Sequence, residues 1–212
     1  MINIEKFVFN PFQVNTYVLY DNSGDCVVVD AACQTKEEFE ELEDYLISNG
    51  MTLTALVNTH GHMDHLQGIK YFRDKYKVPF CLAEEDLFLA ERAVEQAAMF
   101  GLRMEKPPMP DCFLKESEPI ILGDSKITLL HAPGHSPGSM VLYMEQEKLA
   151  ITGDVLFSLS IGRTDLPGGN YGQLINSIRT KLLVLDDDVR IFPGHGPAST
   201  IGDERKMNPF LN

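Results

Sequence analysis

Cationic residues are scarce: 18 Lys and Arg stand against 31 Asp and Glu, a formal charge of −13 over 212 residues. A field of that sign repels polyanions and excludes nucleic acid as an expected partner, whereas a small anion met by a local cationic patch or by metal ions stays compatible. Long apolar runs are also missing. None approaches the roughly 18–20 residues a membrane-spanning helix needs, and the opening MINIEKFVFNP lacks the basic-then-apolar pattern of a secretory leader. No membrane partner and a cytoplasmic location are therefore expected. Cysteine occurs only at 26, 33, 81 and 112, without a CxxC pair, which excludes a zinc knuckle and a thioredoxin-like pair and predicts reduced, mostly buried thiols. Cys33, just after the strand-like run CVVVD, is the one thiol placed to sit near strand ends. Linkers, low-complexity stretches and long internal repeats are absent too. With 44 % hydrophobic and 23 % charged residues the chain has the composition of a globular protein, and its length suits one domain over 1–212.

What is present begins with strands. Residues 2–9 and 13–20 are rich in Ile, Val, Phe and Tyr, and the turn DNSGD leads into CVVVD. Thr35 and Glu38 form a capping-box pattern, after which Phe39, Leu42, Leu46 and Ile47 recur at helical spacing until Gly50. A strand over 52–58, a loop THGHMDHLQG, a helix around 66–76 and a short strand at 78–82 follow. Next comes a helical stretch near 86–101 with apolar Leu87, Leu89, Val94 and Ala98. The proline-rich KPPMPDCF suits neither a helix nor a central strand, and with the stretch before it is expected to overhang a site. The strands EPIIL, SKITLLH, SMVLYM and KLAIT come in quick succession, then a helix over 171–183, a strand over 189–192, and a tail with a short helix. Strands clustered in each half and closed by helices predict two sheets face to face with helices outside, a four-layer αββα arrangement.

Five of the six histidines, at 60, 62, 65, 135 and 195, sit in Gly- or Pro-flanked loops directly after a predicted strand. Two histidines at i and i+2 can aim both imidazoles at one cation, while Asp64 and His65 of the same loop face a second position. Further donors follow other strands: His135 in APGHSPG, Asp154 in ITGDVLF and His195 in FPGHG. A donor set of imidazoles and carboxylates suits zinc, iron or manganese and leaves positions open to solvent. His131 ends a strand without the loop context and reads as a structural residue. Asp30, ending CVVVD, is a candidate to accept a hydrogen bond from a ligand imidazole. Thr59 is expected to shape the ligand loop, and Arg163 with Asp165 to order the 162–169 loop or to offer charge to a substrate carboxylate.

These motifs resemble the metallo-β-lactamase superfamily, whose HxHxDH, single His, Asp and final His are matched in order at 60–65, 135, 154 and 195. Within it the chain is similar to glyoxalase II, and more narrowly to its short bacterial relatives, on THGHMDH, HAPGHSPGS, TGDVLF, GRTDLPGG, FPGHGP and the terminal NPFL. The resemblance implies an αββα sandwich of two mixed sheets. It assigns His60, His62 and His135 to one metal, Asp64, His65 and His195 to a second, and Asp154 as a bridge, with Asp64 and Asp154 as catalytic carboxylates. Two divalent ions, zinc foremost with iron or manganese as options, would share a hydroxide that attacks a thioester carbonyl of the hydroxyacylglutathione type. A thiol of pKa about 8.5 leaves with little acid help. Full-length glyoxalase II adds a C-terminal helical domain with glutathione contacts. Only 17 residues follow His195 here, so a single domain without that module is expected. Two related activities compete. One is a persulfide dioxygenase with a single iron on His60, His135 and Asp154, and the other a lactonase or esterase of the same fold.

Overall fold

Asn3–Phe9 (β1), Val14–Tyr20 (β2), Asp25–Val29 (β3), Thr52–Val57 (β4), Phe80–Leu82 (β5) and Cys112–Phe113 (β6) lie side by side in chain order in a computed structural model that describes residues 1–211. Pairing is antiparallel from β1 to β3 and parallel from β3 to β6. The second sheet takes Ile120–Leu122 (β7), Ser125–His131 (β8), Met140–Met144 (β9) and Leu149–Gly153 (β10). Beyond the small hairpin of Leu156–Phe157 (β11) and Ser160–Ile161 (β12), it adds Arg190–Pro193 (β13) and Ser199–Thr200 (β14). Its order is β14-β13-β10-β9-β8-β7, with β10 and β13 parallel and the other neighbours antiparallel. The helices are Lys36–Ser48 (α1), Ile69–Tyr76 (α2), Leu87–Glu91 (α3), Ala93–Met99 (α4), Tyr171–Ser177 (α5) and Ile201–Met207 (α6).

Strand alternation sorts the apolar residues into separate cores, as a sheet buried on both faces requires. Tyr17, Leu19, Val27 and Val29 point from the first sheet toward Leu129, Leu142, Ile151 and Phe192 of the second. Their alternates Val14, Val18, Cys26 and Val28 face Leu42, Leu46, Ile69 and Phe72 of α1 and α2. On the far side Val141, Ala150 and Ile191 meet Leu174, Ile178 and Ile201 of the helices near the C-terminus. Helices thus cover the outer face of each of two mixed sheets, the expected architecture.

The capping box forms as read. Thr35 Oγ1 accepts from the Glu38 amide at 3.3 Å, and the Glu38 carboxylate accepts from the Thr35 amide at 3.0 Å. Ile47 does not join the core face of α1; it is 69 % exposed while Leu46 is 1 % exposed, because the stripe that meets the sheet is narrow. The stretch 86–101 is not one helix. It breaks at Arg92, and its buried face is Leu89, Ala90, Ala93 and Ala97, with Val94 turned outward. The helix expected over 171–183 ends at Ser177 and continues as a wider π turn over Ile178–Leu182. The reduced state expected of all four thiols is corrected at one pair: Cys81 and Cys112 form a disulfide. The parallel β5–β6 register makes them direct partners with Cα atoms 4.8 Å apart, inside the range a disulfide spans. Cys33 is fully buried and packs in the outer core, where burial pushes its thiol pKa up, so it faces no site.

Leu46→Ala is expected to cost about 2–5 kcal/mol, while Ile47→Ala changes stability by no more than about 0.5 kcal/mol. Urea denaturation midpoints at unchanged slope check both; equal losses would contradict this packing.

Candidate metal centre

Six loops reach one edge of the sandwich. The first sheet sends Asp30 after β3, Thr59–His65 after β4 and Ala83–Asp86 after β5. The second sends residues 132–139 after β8, Asp154 after β10 and Gly194–His195 after β13. The two groups are stitched together across the sheets. The Met140 amide donates to Thr59 O at 2.8 Å, the Asn15 amide to Gly194 O at 2.7 Å, and Tyr17 Oη to Pro193 O at 2.6 Å. Gly194 is needed where it stands, since a Cβ there would collide with Asp154 Oδ1 and the His65 ring.

All seven expected donors converge at this edge. His62 Nδ1 lies 2.8 Å from His135 Nε2, which lies 3.3 Å from His60 Nε2. His65 Nε2 is 3.4 Å from His195 Nε2 and 3.8 Å from Asp64 Oδ2, and His195 Nε2 is 3.5 Å from Asp64 Oδ2. Asp154 stands between the groups: Oδ2 is 3.6 Å from His135 Nε2 and 3.5 Å from His195 Nε2, and Oδ1 is 3.6 Å from His65 Nε2. Asp154 Oδ1 is buried with no hydrogen-bond partner among the described residues. A tetrahedral ion with nitrogen ligands at about 2.0–2.1 Å sets those ligands about 3.3 Å apart. The donor spacing and the orphaned carboxylate oxygen therefore fit two cations, one on His60, His62 and His135 and one on Asp64, His65 and His195.

Bonds made by the opposite ring nitrogens aim the imidazoles. His65 Nδ1 donates to Asp30 Oδ2 at 3.0 Å, His135 Nδ1 to Arg163 O at 2.8 Å, and His195 Nδ1 to Phe12 O at 2.9 Å. His60 Nδ1 donates to Thr59 Oγ1 at 3.1 Å, and that hydroxyl donates to Asp30 Oδ2 at 2.7 Å. Asp30, fully buried with φ +52°, also accepts the Thr59 amide at 2.8 Å, so one carboxylate orients an imidazole on each side of the cluster. Arg163 contributes its carbonyl; its guanidinium is held by Asp165 at 2.7 and 2.8 Å. His131 lies outside the cluster and bonds Pro137 O at 2.8 Å, a structural role.

Asp86 was not legible in the sequence, where it ends the acidic run EED. Its Oδ2 accepts from the Gly61 amide at 2.9 Å and Ser136 Oγ at 2.7 Å, and its Oδ1 from the Gly138 amide at 2.6 Å. Gly61 separates His60 from His62, and Ser136 and Gly138 follow His135, so Asp86 clamps both loops of one donor triad. Burial pushes its pKa up against the pull of these donors.

The two halves of the cluster differ in charge. Burial, then the neighbouring imidazoles, holds His60 well below the usual histidine range; burial and His135 bring His62 down to about 3. Burial opposes charge on His65 too, but Asp30, Asp64 and Asp154 outweigh it and raise its pKa to about 10. His195 is likewise raised by Asp64 and Asp154 against burial, while His65 and His195 keep Asp64 below the ordinary carboxylate range despite its burial.

His62, Asp64, His135, Asp154 and His195 line a cavity of about 570 Å³. Phe88, Leu89, Arg92, Met99 and Phe100 of the α3–α4 stretch form one wall, as expected, whereas residues 106–113 do not line it and run instead to the edge strand β6.

A raised pKa means the proton competes with a cation below that pKa, so affinity at the Asp64, His65 and His195 position falls as pH falls. Zinc titrated into metal-free protein is expected to release at least about one proton at pH 7 on filling that position. Its affinity there should rise about tenfold per pH unit per proton from pH 6.5 to 8.5. Calorimetry in buffers of different ionisation enthalpy measures this; no proton release would refute it. Asp86→Asn must turn an amide N–H toward a backbone N–H, and is expected to weaken the His60, His62 and His135 position by about 10–100-fold in chelator competition.

The family model of the metallo-beta-lactamase superfamily matches residues 9–195. The chain is 39 % identical over 213 residues to a protein of Haemophilus influenzae named hydroxyacylglutathione hydrolase GloC, covering all of this chain and 99 % of that one. Among solved structures, the BLEG-1 B3 metallo-beta-lactamase superposes with a TM-score of 0.90 at 34 % identity over 99 % of both chains. TTHA1623 in a di-iron-bound form gives 0.89 at 34 % identity over 98 % of this chain and 100 % of that one. On the family match, the full-length likeness and the shared fold, the chain belongs to the metallo-beta-lactamase superfamily, a superfamily of metallo-hydrolases.

Proposed function

We propose that the protein hydrolyses small thioesters of the hydroxyacylglutathione type with two divalent ions, zinc foremost and iron or manganese as options, in the cytoplasm and without a nucleic-acid or membrane partner. The observation that carries this reading is the pair of complete donor triads sharing Asp154. The 39 % identity to a hydroxyacylglutathione hydrolase over the whole chain supports the thioester class. The complete Asp64, His65 and His195 triad favours two ions over the single iron of a persulfide dioxygenase.

Ions held at these positions supply Lewis acidity and lower the pKa of water. The chain does the rest. Asp154 presents an oxygen to each side of the cluster, Asp64 holds charge beside His65 and His195, and Asp30 with the Phe12 and Arg163 carbonyls prevents the imidazoles from turning. In the reaction the oxygen of water bonds to the thioester carbonyl carbon and the C–S bond breaks with its electron pair on sulfur, yielding a carboxylic acid and a thiol. Because a thiolate leaves readily, the apolar wall facing the donors is compatible with the chemistry.

Elemental analysis of protein purified from its own host, before any chelator, is expected to give about two metals per chain. Thiol release from S-lactoylglutathione is expected to vanish on chelation, return on reloading, and fall by at least about a hundredfold in His60→Ala. A single iron with oxygen uptake on a persulfide, or hydrolysis unaffected by His60→Ala, would overturn the proposal.

A further inference from the structure

The cavity over the donor cluster has two cationic side chains, Arg92 and Arg163, and they are not equivalent. Arg163 is committed to Asp165 through two hydrogen bonds of 2.7 and 2.8 Å. Arg92, at the junction of α3 and α4, makes one contact of 3.3 Å from Nε to Glu95 Oε2. Its terminal nitrogens meet no polar partner among the described residues, and its side chain is 57 % exposed. The same rim carries large apolar groups in water: Met99 is 78 % and Phe100 57 % exposed, and Phe100 meets Phe12 edge-on across the mouth at 5.4 Å between centroids. Exposed apolar surface next to a planar cation with free donors suits a ligand that covers the first and pairs with the second. The other charges on the wall, Asp64 and Asp154, belong to the donor cluster, so away from the metal positions an anionic group on the ligand has its uncommitted counter-charge on the α3–α4 side.

We propose that Arg92 is a specificity-determining residue that receives a carboxylate of the substrate, and that the favoured thioesters have an apolar body lying on Phe12, Phe88 and Phe100 with one carboxylate at its end. This rests on the thioester-hydrolase reading above and departs from it in one respect, setting an apolar monocarboxylate beside the polar glutathione conjugates as the favoured thiol half. Arg92 touches no metal donor and orders no loop of the centre, so its removal leaves the chemistry of a neutral substrate intact.

The test uses metal-loaded protein, S-benzoyl-6-mercaptohexanoate and its methyl ester, with thiol release as the readout. Wild type is expected to show a KM about tenfold lower for the acid than for the ester at similar kcat. Arg92→Met raises the acid's KM about tenfold and leaves kcat and both constants for the ester unchanged, while Arg92→Lys falls between because it keeps charge without the fork. An acid-to-ester ratio unchanged in Arg92→Met, or an equal loss on both substrates, overturns the proposal. The uncleavable thioether S-benzyl-6-mercaptohexanoate and its methyl ester, titrated calorimetrically, separate binding from reaction. If wild type prefers the acid thioether, Arg92→Met does not, and no thioester is cleaved, the hydrolase reading fails and the Arg92 subsite stands. If thioesters are cleaved but neither assay depends on Arg92, the subsite fails and the hydrolase reading stands.

Discussion

Ring nitrogens of buried imidazoles held 2.8 to 3.4 Å apart repel one another unless a proton or cation lies between them, and everything at the open edge of this sandwich serves to hold them there. The hold comes from behind. Asp30, Thr59 and the carbonyls of Phe12 and Arg163 bond the outward nitrogens of His60, His65, His135 and His195, which aims their other nitrogens into the cluster. Asp86 fixes the backbone of two ligand loops at once. Asp30, Thr59 and Asp86 are buried and bonded, so the site is preorganised and its donors do not have to be gathered when a cation enters.

Such a cluster needs a scaffold that delivers loops from distant parts of the chain to one place without slack. Two sheets buried on both faces do this. Alternation along β2 and β3 sends Tyr17, Leu19, Val27 and Val29 inward and Val14, Val18, Cys26 and Val28 outward, so a slip of one residue would exchange rows of different shape between two close-packed cores. Strand ends are therefore set to within a fraction of a residue. Direct bonds such as Asn15 to Gly194 and Met140 to Thr59 then lock the two halves in register across the edge.

The electrostatic division of the cluster follows from which side chains each loop can bring. Burial disfavours charge on His60 and His62, whereas the carboxylates of Asp30, Asp64 and Asp154 favour the protonated ring at His65, and those of Asp64 and Asp154 at His195. A chain of net charge −13 offers a small anion little attraction overall. Arg92 on the cavity wall, and cations that the cluster would hold, make this cavity a local exception, consistent with fields near a site being set by the nearest charges.

Much of this is legible in the sequence. Strand alternation, the capping box at Thr35 and Glu38, and His and Asp residues placed directly after strands are local properties, and they pointed to the layered fold, to the residues that converge at its edge and to the family. Only tertiary structure decided the rest, because it depends on contacts between residues far apart in the chain. Asp86 looks like part of a solvated acidic run until residues 61, 136 and 138 are brought to its carboxylate. Cys81 and Cys112, 31 residues apart, become partners only through the parallel register of β5 and β6. Arg163 and Arg92 are indistinguishable as cations in a sequence, yet one is neutralised by Asp165 and the other is left facing the cavity. Residue type and spacing specify which atoms can bind a metal, while burial and long-range pairing specify which charges remain available to a substrate.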